Sequence, residues 1–171
     1  MPVEYASTVS LLALVVSIVS IWVTYNSWMR SNRPIVSAYI EEESLGDGVA
    51  TFNLQISNTG TRPATNVRIH IDGAELEKIL DVKASPKARM ELASCFARDS
   101  RIPLIRNGET LTGGLGRTSR VEADEPQLMY GGEAKIKILY SDLDGKSYIS
   151  KLPIKVYARF GFTGRSWQSA A

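Results

Sequence analysis

Between Tyr5 and Met29 the chain runs 25 residues without a charged side chain, and all 20 of its Lys and Arg stand at or beyond Arg30. As a helix this run measures roughly 37 Å, longer than the ~30 Å hydrocarbon layer of a bilayer. Tyr5 and Tyr25 are 20 residues apart, which places them where the aromatic girdles of a spanning helix fall, and Trp22 and Trp28 reinforce the second girdle. The core helix of a globular protein has no need of such length. A cleaved signal peptide would open on basic residues and close on a small-x-small site, whereas this chain opens Met1-Pro2-Val3-Glu4. Residues 1–30 therefore read as a permanent single transmembrane helix with a short N-terminal flank. Arg30 and Arg33 follow the run and Glu4 precedes it, so the positive-inside rule directs the carboxyl side to the cytoplasm. The expectation is a single-pass protein of the plasma (inner) membrane with its N-terminus outside. Tyr5, Trp22, Tyr25, Trp28, Arg30 and Arg33 would lie at the membrane interface.

The run carries a second pattern. From Val9 to Tyr25 every Ser, Thr or Ala falls on one stripe, Ser10, Ala13, Ser17, Ser20 and Thr24, at intervals of 3 and 4, and the stripe continues to Ala6 and Ser27. All other positions there are bulky. Lipid tails are as apolar as leucine, so small residues gain nothing against them, but they let a second helix approach closely. A period of 3.5 residues favours a left-handed crossing near about +20°. These five residues are the expected helix–helix interface.

After Pro34 the period changes from 3.5 to 2. In "VATFNLQIS" Phe52, Leu54 and Ile56 alternate with Thr51, Asn53, Gln55 and Ser57, and in "NVRIHID" Val67, Ile69 and Ile71 alternate with Asn66, Arg68 and His70. Such one-sided alternation belongs to antiparallel strands with one wet face. "IVSAYIEE" reads as an earlier strand, with Glu41 to Glu43 as its solvated end. "EAKIKILYSDLDGKSYISKLPIKVY" reads as a hairpin with Ala134, Ile136, Ile138 and Tyr140 inward and Asp144-Gly145 at the tip. "IPLIRNGETLTGG" supplies a shorter strand around an Asn-Gly turn. In "SPKARMELASCFA", Ser85 as N-cap and Pro86 at the first position mark a short helix crossing between sheets, with Met90, Ala93, Phe96 and Ala97 on its packed side. The stretch from Gly113 to Gly132 reads as a long loop. The fold class is mainly β: a transmembrane helix, then an antiparallel β-sandwich over 31–158 with a short helical insertion, then a tail over 159–171.

The segment "LQISNTGTRPATNVRIHI" resembles the immunoglobulin-like modules of the CARDB type found in bacteria and archaea, through Leu54, Ile56, Asn58, Gly60, Pro63-Ala64 and Asn66-Val67. Asn58 can bond its own backbone, and Gly60 can adopt positive φ where the chain turns. The match covers 18 residues, a little more with the "YSDLDGKSY" hairpin. The resemblance implies an immunoglobulin-like sandwich serving as a spacer or interaction module, without catalytic residues. Modules of that type are commonly extracellular, which pulls against the orientation derived from charge.

Little in the chain points to chemistry. His70, the one histidine, stands on an outward strand position with no ligand-type partner nearby in sequence, and solvent exposure is the simpler role. Cys95, the one cysteine, excludes an internal disulfide and sits in an apolar setting that suggests buried packing. Asp142 to Gly145 opens like a calcium loop but lacks the remaining ligands, so a hairpin tip is expected. "GGLGR" has no framing strand and helix for a phosphate. No cofactor, metal or catalytic residue is expected.

The tail carries more. After Asp144 there is no acid, while Lys146, Lys151, Lys155, Arg159 and Arg165 add positive charge and Phe160, Phe162 and Trp167 are interleaved. Arg159, Phe160, Phe162, Arg165 and Trp167 are candidates for docking on an anionic leaflet or a partner. Nucleic acid is not expected, because no recognised module accompanies the charges. Taken together these features suggest a non-enzymatic accessory or scaffold subunit of a larger membrane complex. Its partners would be other transmembrane helices and the lipid bilayer, with a homodimer through the same stripe left open. The alternative is a membrane-tethered ligand- or peptide-binding module, sensor- or adhesion-like, that uses the 113–132 loop.

Overall fold

The alternation after Pro34 folds into two antiparallel sheets. The structure, a computed structural model, describes residues 2–46, 48–97, 100–119, 121 and 125–157, with side chains from Thr8 onward except at 45 and 46. The chain divides into two units, Met1–Arg33 and Pro34–Ala171.

The first unit is one helix, α1 (Pro2–Ser31). Its Thr8–Ser31 portion is long and apolar enough to cross a membrane, and none of it is buried. Leu, Val and Ile make up most of its exposed surface.

In the second unit, β1 (Val36–Gly46), β2 (Val49–Asn58) and β5 (Thr110–Ser119) form one sheet in the order β1-β2-β5. The strands β3 (Ala64–Ile71), β4 (Arg101–Ile105), β6 (Glu133–Ser141) and β7 (Ser147–Lys155) form the other in the order β4-β3-β6-β7. Phe52, Leu54 and Ile56 from the first sheet and Val67, Ile69, Ile71, Ala134, Ile136, Ile138 and Tyr140 from the second all belong to one buried cluster. The period-2 rows read from the sequence are thus the two inner faces of that core. The hairpin of β6 and β7 is also as expected, with Ser141 opposite Ser147 across its turn.

The β2-to-β3 connection passes from one sheet to the other, and Asn58 holds it. This side chain is fully buried. Its Oδ1 accepts from the backbone N–H of Ile35 (3.1 Å) and Gly60 (3.1 Å), and its Nδ2 donates to the carbonyls of Arg62 (2.8 Å) and Ile105 (3.2 Å). Three chain segments thereby meet on one amide, at Ile35, at the 58–62 turn and at Ile105, and the bonds satisfy all four hydrogen-bonding positions of the buried carboxamide. Positive φ is not used at Gly60; it falls instead at Asn66 (φ 53), beside the register shift of β3. The Asn58 carboxamide turns the chain, so Gly60 has no left-handed conformation to adopt.

Several sequence expectations change. Gly113 to Ser119 are not loop but the second half of β5, paired with β2 from Gly113↔Leu54 to Ser119↔Val49. The Asn-Gly turn in "IPLIRNGETLTGG" lies between two strands, β4 and β5, and joins the two sheets as an arch. Glu41 to Glu43 lie inside β1, which continues to Gly46. The short helix α3 (Pro86–Cys95) forms as expected, its Ser85 cap accepting from the Ala88 N–H at 3.3 Å. It leaves and re-enters the same four-stranded sheet, together with the single turn α2 (Gly73–Leu76), because β3 and β4 are neighbours. Its buried side is Ala88, Leu92 and Phe96, spaced by four, while Met90 and Ala93 are exposed. Met90 follows Ala88 by two residues, about 200° around the helix, so the two cannot share a face.

Candidate functional site

The strands β4 and β5 are each the last of their sheets, and the core opens between them. A cavity of about 460 Å³ lies there, walled by Leu54 and Ile56 of β2, Leu111 of β5, Val67 and Ile69 of β3 and Ile102 of β4. It is apolar because these are the inward rows of the alternating strands. It stays open because Gly113 and Gly114 bring no side chains to the β5 edge, and a Cβ at Gly113 would meet nothing within 4 Å. The other end of β5 is covered: the N–H groups of Gln127 and Leu128 both donate to the Arg117 carbonyl, at 2.9 and 3.0 Å. At Gly116 an added Cβ would come within 2.9 Å of Gln127 Oε1 and 3.2 Å of Leu128 Cγ, so the covering segment packs closely on this glycine. A smaller cavity of about 240 Å³ adjoins under α3 and shares Cys95, Gly114 and Leu115 with the first.

Cys95 lies at the rim and is exposed, contrary to the buried packing its setting suggests. Cys95 lies about 60° from Leu92 around α3, at the edge of the packed face, where it lines both cavities and no strand covers it. Partial burial pushes its thiol pKa up, and Glu91 adds to the shift. The thiol donates to the Glu91 carbonyl at 3.6 Å. Such an environment favours the protonated thiol, the opposite of an activated nucleophile.

His70 points outward as expected, its Nε2 3.2 Å from Asp72 Oδ1. Asp72 also accepts from Lys137 Nζ at 3.0 Å, and that bond, with the Lys137 charge, holds its carboxyl below the usual range. Among the described residues no group of three His, Cys, Asp or Glu is placed to hold a metal ion. Asp142 is a structural hub of the hairpin turn. Its Oδ1 accepts from the N–H of Asp144 (3.0 Å) and Lys146 (2.9 Å), and its Oδ2 from the Tyr148 hydroxyl (2.9 Å). Burial alone would raise its pKa; those three donors and the Arg62 charge outweigh it, leaving the carboxyl below the usual range. The resemblance of "DLDG" to a calcium loop is accounted for by these bonds, since the leading carboxylate is occupied by its own backbone.

On α1, Ser10, Ala13, Ser17, Ser20 and Thr24 are all exposed, as are Trp22, Tyr25, Trp28 and Arg30. Ser17 Oγ donates to the Ala13 carbonyl one turn back, at 2.8 Å. The stripe thus satisfies that hydroxyl within the helix while keeping its profile low. Arg33 is exposed as well. The side chain of Tyr5 and the tail residues Arg159, Phe160, Phe162, Arg165 and Trp167 lie outside the described residues.

The cleft was missed in the sequence because "GGLG" was assigned to a loop. The Leu111 and Leu115 positions flanking the glycines were the available signal, since they keep the period of a strand through the Gly-Gly pair.

The sequence matches the model of a family described as a domain of unknown function, DUF8453, over residues 5–158. The chain belongs to this family. The matched range takes in both α1 and the β domain, so a DUF8453 unit comprises the apolar helix together with the sheets. No curated protein matches the sequence.

Proposed function

We propose that this DUF8453 chain is a non-enzymatic single-pass accessory or scaffold subunit that stabilises a larger membrane protein complex through α1 and the β domain. The observation that carries this reading is that no residue of Thr8–Ser31 is buried, while from Val9 to Tyr25 its small residues stay on one continuous stripe. A lipid-embedded helix with one low, exposed side is suited to receive a neighbouring helix. The β domain is read as immunoglobulin-like: β1-β2-β5 and β4-β3-β6-β7 follow the A-B-E and C-F-G grouping, the fourth strand having joined the second sheet. The CARDB-type resemblance around Asn58 supports the same assignment. Arg30 and Arg33 favour a cytoplasmic β domain under the inner membrane.

Gentle detergent extraction of the intact chain should bring down a fixed set of membrane partners. Ser17→Leu with Ser20→Leu should release them without loss of insertion; full retention by the double variant defeats the reading. Recovery of the chain alone as a pair would assign the stripe to a homodimer. Protease added to sealed right-side-out cells should spare the β domain, and digestion would reverse the orientation.

A second reading, a membrane-tethered ligand- or peptide-binding module, is favoured by the cavity of about 460 Å³ between β4 and β5. Gly113→Leu should fill its mouth and abolish such binding while leaving the partners of α1 in place.

A further inference from the structure

The outer face of the four-stranded sheet sets like charges against each other. Arg68 of β3 is directly opposite Arg101 of β4, and Lys137 of β6 is directly opposite Lys151 of β7. His70 is opposite Lys137 on its other side. Cross-strand neighbours lie close enough that like-charge pairs destabilise a sheet. Lys135 and Lys155 extend the same face, giving six fixed cations. Three acids meet it: Asp72 pairs with Lys137 at 3.0 Å, Glu133 lies 4.0 Å from Lys155, and Glu75, itself paired with Lys78, accepts from the Lys135 N–H at 2.8 Å. Arg68, Arg101, Lys135 and Lys151 make no ion pair among the described residues, although the whole chain carries a net charge of only +2. In the midst of these charges Leu139 and Ile149 stand opposite one another, 41% and 64% exposed.

We propose that this face is a docking surface for an anionic lipid leaflet. Anionic headgroups would relieve the repulsion that the fold compensates only in part, and Leu139 and Ile149 would enter the boundary between headgroups and acyl chains. The proposal rests on the reading of α1 as membrane-embedded. Only four residues, 32–35, separate α1 from β1, so the domain meets headgroups at high effective concentration. The outward positions of β3, β4, β6 and β7 hold no Phe, Tyr or Trp. A surface for single-stranded nucleic acid would be expected to offer stacking platforms.

The test uses the full chain in lipid nanodiscs, with Cys95→Ser and a fluorescent label on Ile149→Cys, quenched by lipids that carry a nitroxide on the headgroup. Discs of neutral phosphatidylcholine are compared with discs containing about 30% phosphatidylglycerol. Quenching should rise about threefold in the anionic discs and fall back to the neutral level in about 1 M NaCl. Lys135→Gln with Lys151→Gln should abolish the rise while keeping or raising the thermal midpoint, since it removes repulsion. Equal quenching in both discs, with α1 resistant to carbonate extraction, overturns this inference alone. A chain extracted by carbonate overturns the membrane reading as well. An RNA oligonucleotide that binds more tightly than the anionic disc assigns the face to nucleic acid and likewise overturns it.

Discussion

α1 and the β domain carry the same kinds of apolar side chain under opposite conditions. Leu11, Ile21 and Trp22 on α1 are 63%, 70% and 65% exposed, whereas Phe52, Ile136 and Ile138 in the β domain are 1% exposed or less. The β domain supplies its own apolar environment through two facing sheets. The helix supplies none, so its stability depends on a solvent or neighbour outside itself. Perturbations of one region should therefore leave the other nearly untouched, and that independence can be measured.

The largest expected effect lies in the domain. Asn58→Ala strands two backbone N–H groups and two carbonyls, at Ile35, Gly60, Arg62 and Ile105, and should cost about 4 kcal/mol or more in chemical denaturation of the intact chain. Membrane insertion should be unchanged. The reciprocal experiment is Val16→Arg, which puts a charge at mid-helix at a cost of about 3 kcal/mol to insertion. Carbonate extraction should then release the chain while the melting of the β domain stays as it was. A β domain that melts earlier in this variant would show that the two regions are coupled.

Asp142 sharpens the contrast through pH. Its folded pKa is depressed, so its stabilising contribution is complete above the ordinary carboxylate range and is lost as pH falls through the lower folded value. The thermal midpoint of the β domain should drop between pH 4 and more acid conditions, about where an ordinary Asp titrates and below. Asp142→Asn should cost about 2 kcal/mol at neutral pH and flatten that acid dependence. Insertion of α1 should follow neither change. The smallest effect belongs to the stripe. Ser17→Leu with Ser20→Leu should leave insertion and domain melting unaltered and weaken helix association by about 1 kcal/mol, read as loss of co-purifying partners.

Legibility in the sequence followed how local each signal was. The helix from Pro2 to Ser31 needed only composition and length. The inward rows of β2, β3 and β6 needed only alternation, and Ser85-Pro86 marked the start of α3 through a cap that acts within one turn. The packed face of α3 was misread because Met90 looks like a core residue, while Ala88 and Leu92, less conspicuous, face the sheets. Cys95 is exposed because it lines the cavity edge, an opening that no local pattern records. Gly113 to Ser119 was read as loop because glycine has low strand propensity, yet pairing to β2 over the whole segment overrode it.

The sequence by itself determined that a helix with a 25-residue uncharged run and one small-residue side precedes a chain of half-buried strands, because both patterns repeat within a few residues of themselves. Only the tertiary structure decided which strands share a sheet. It sent β2 and β3 to opposite sheets around Asn58, placed β4 and the Gly113–Gly114 part of β5 on either side of an apolar cleft, and brought Arg68 against Arg101 and Lys137 against Lys151. These arrangements join residues far apart along the chain, where loop closure and shared burial choose the partner and no local period records the choice.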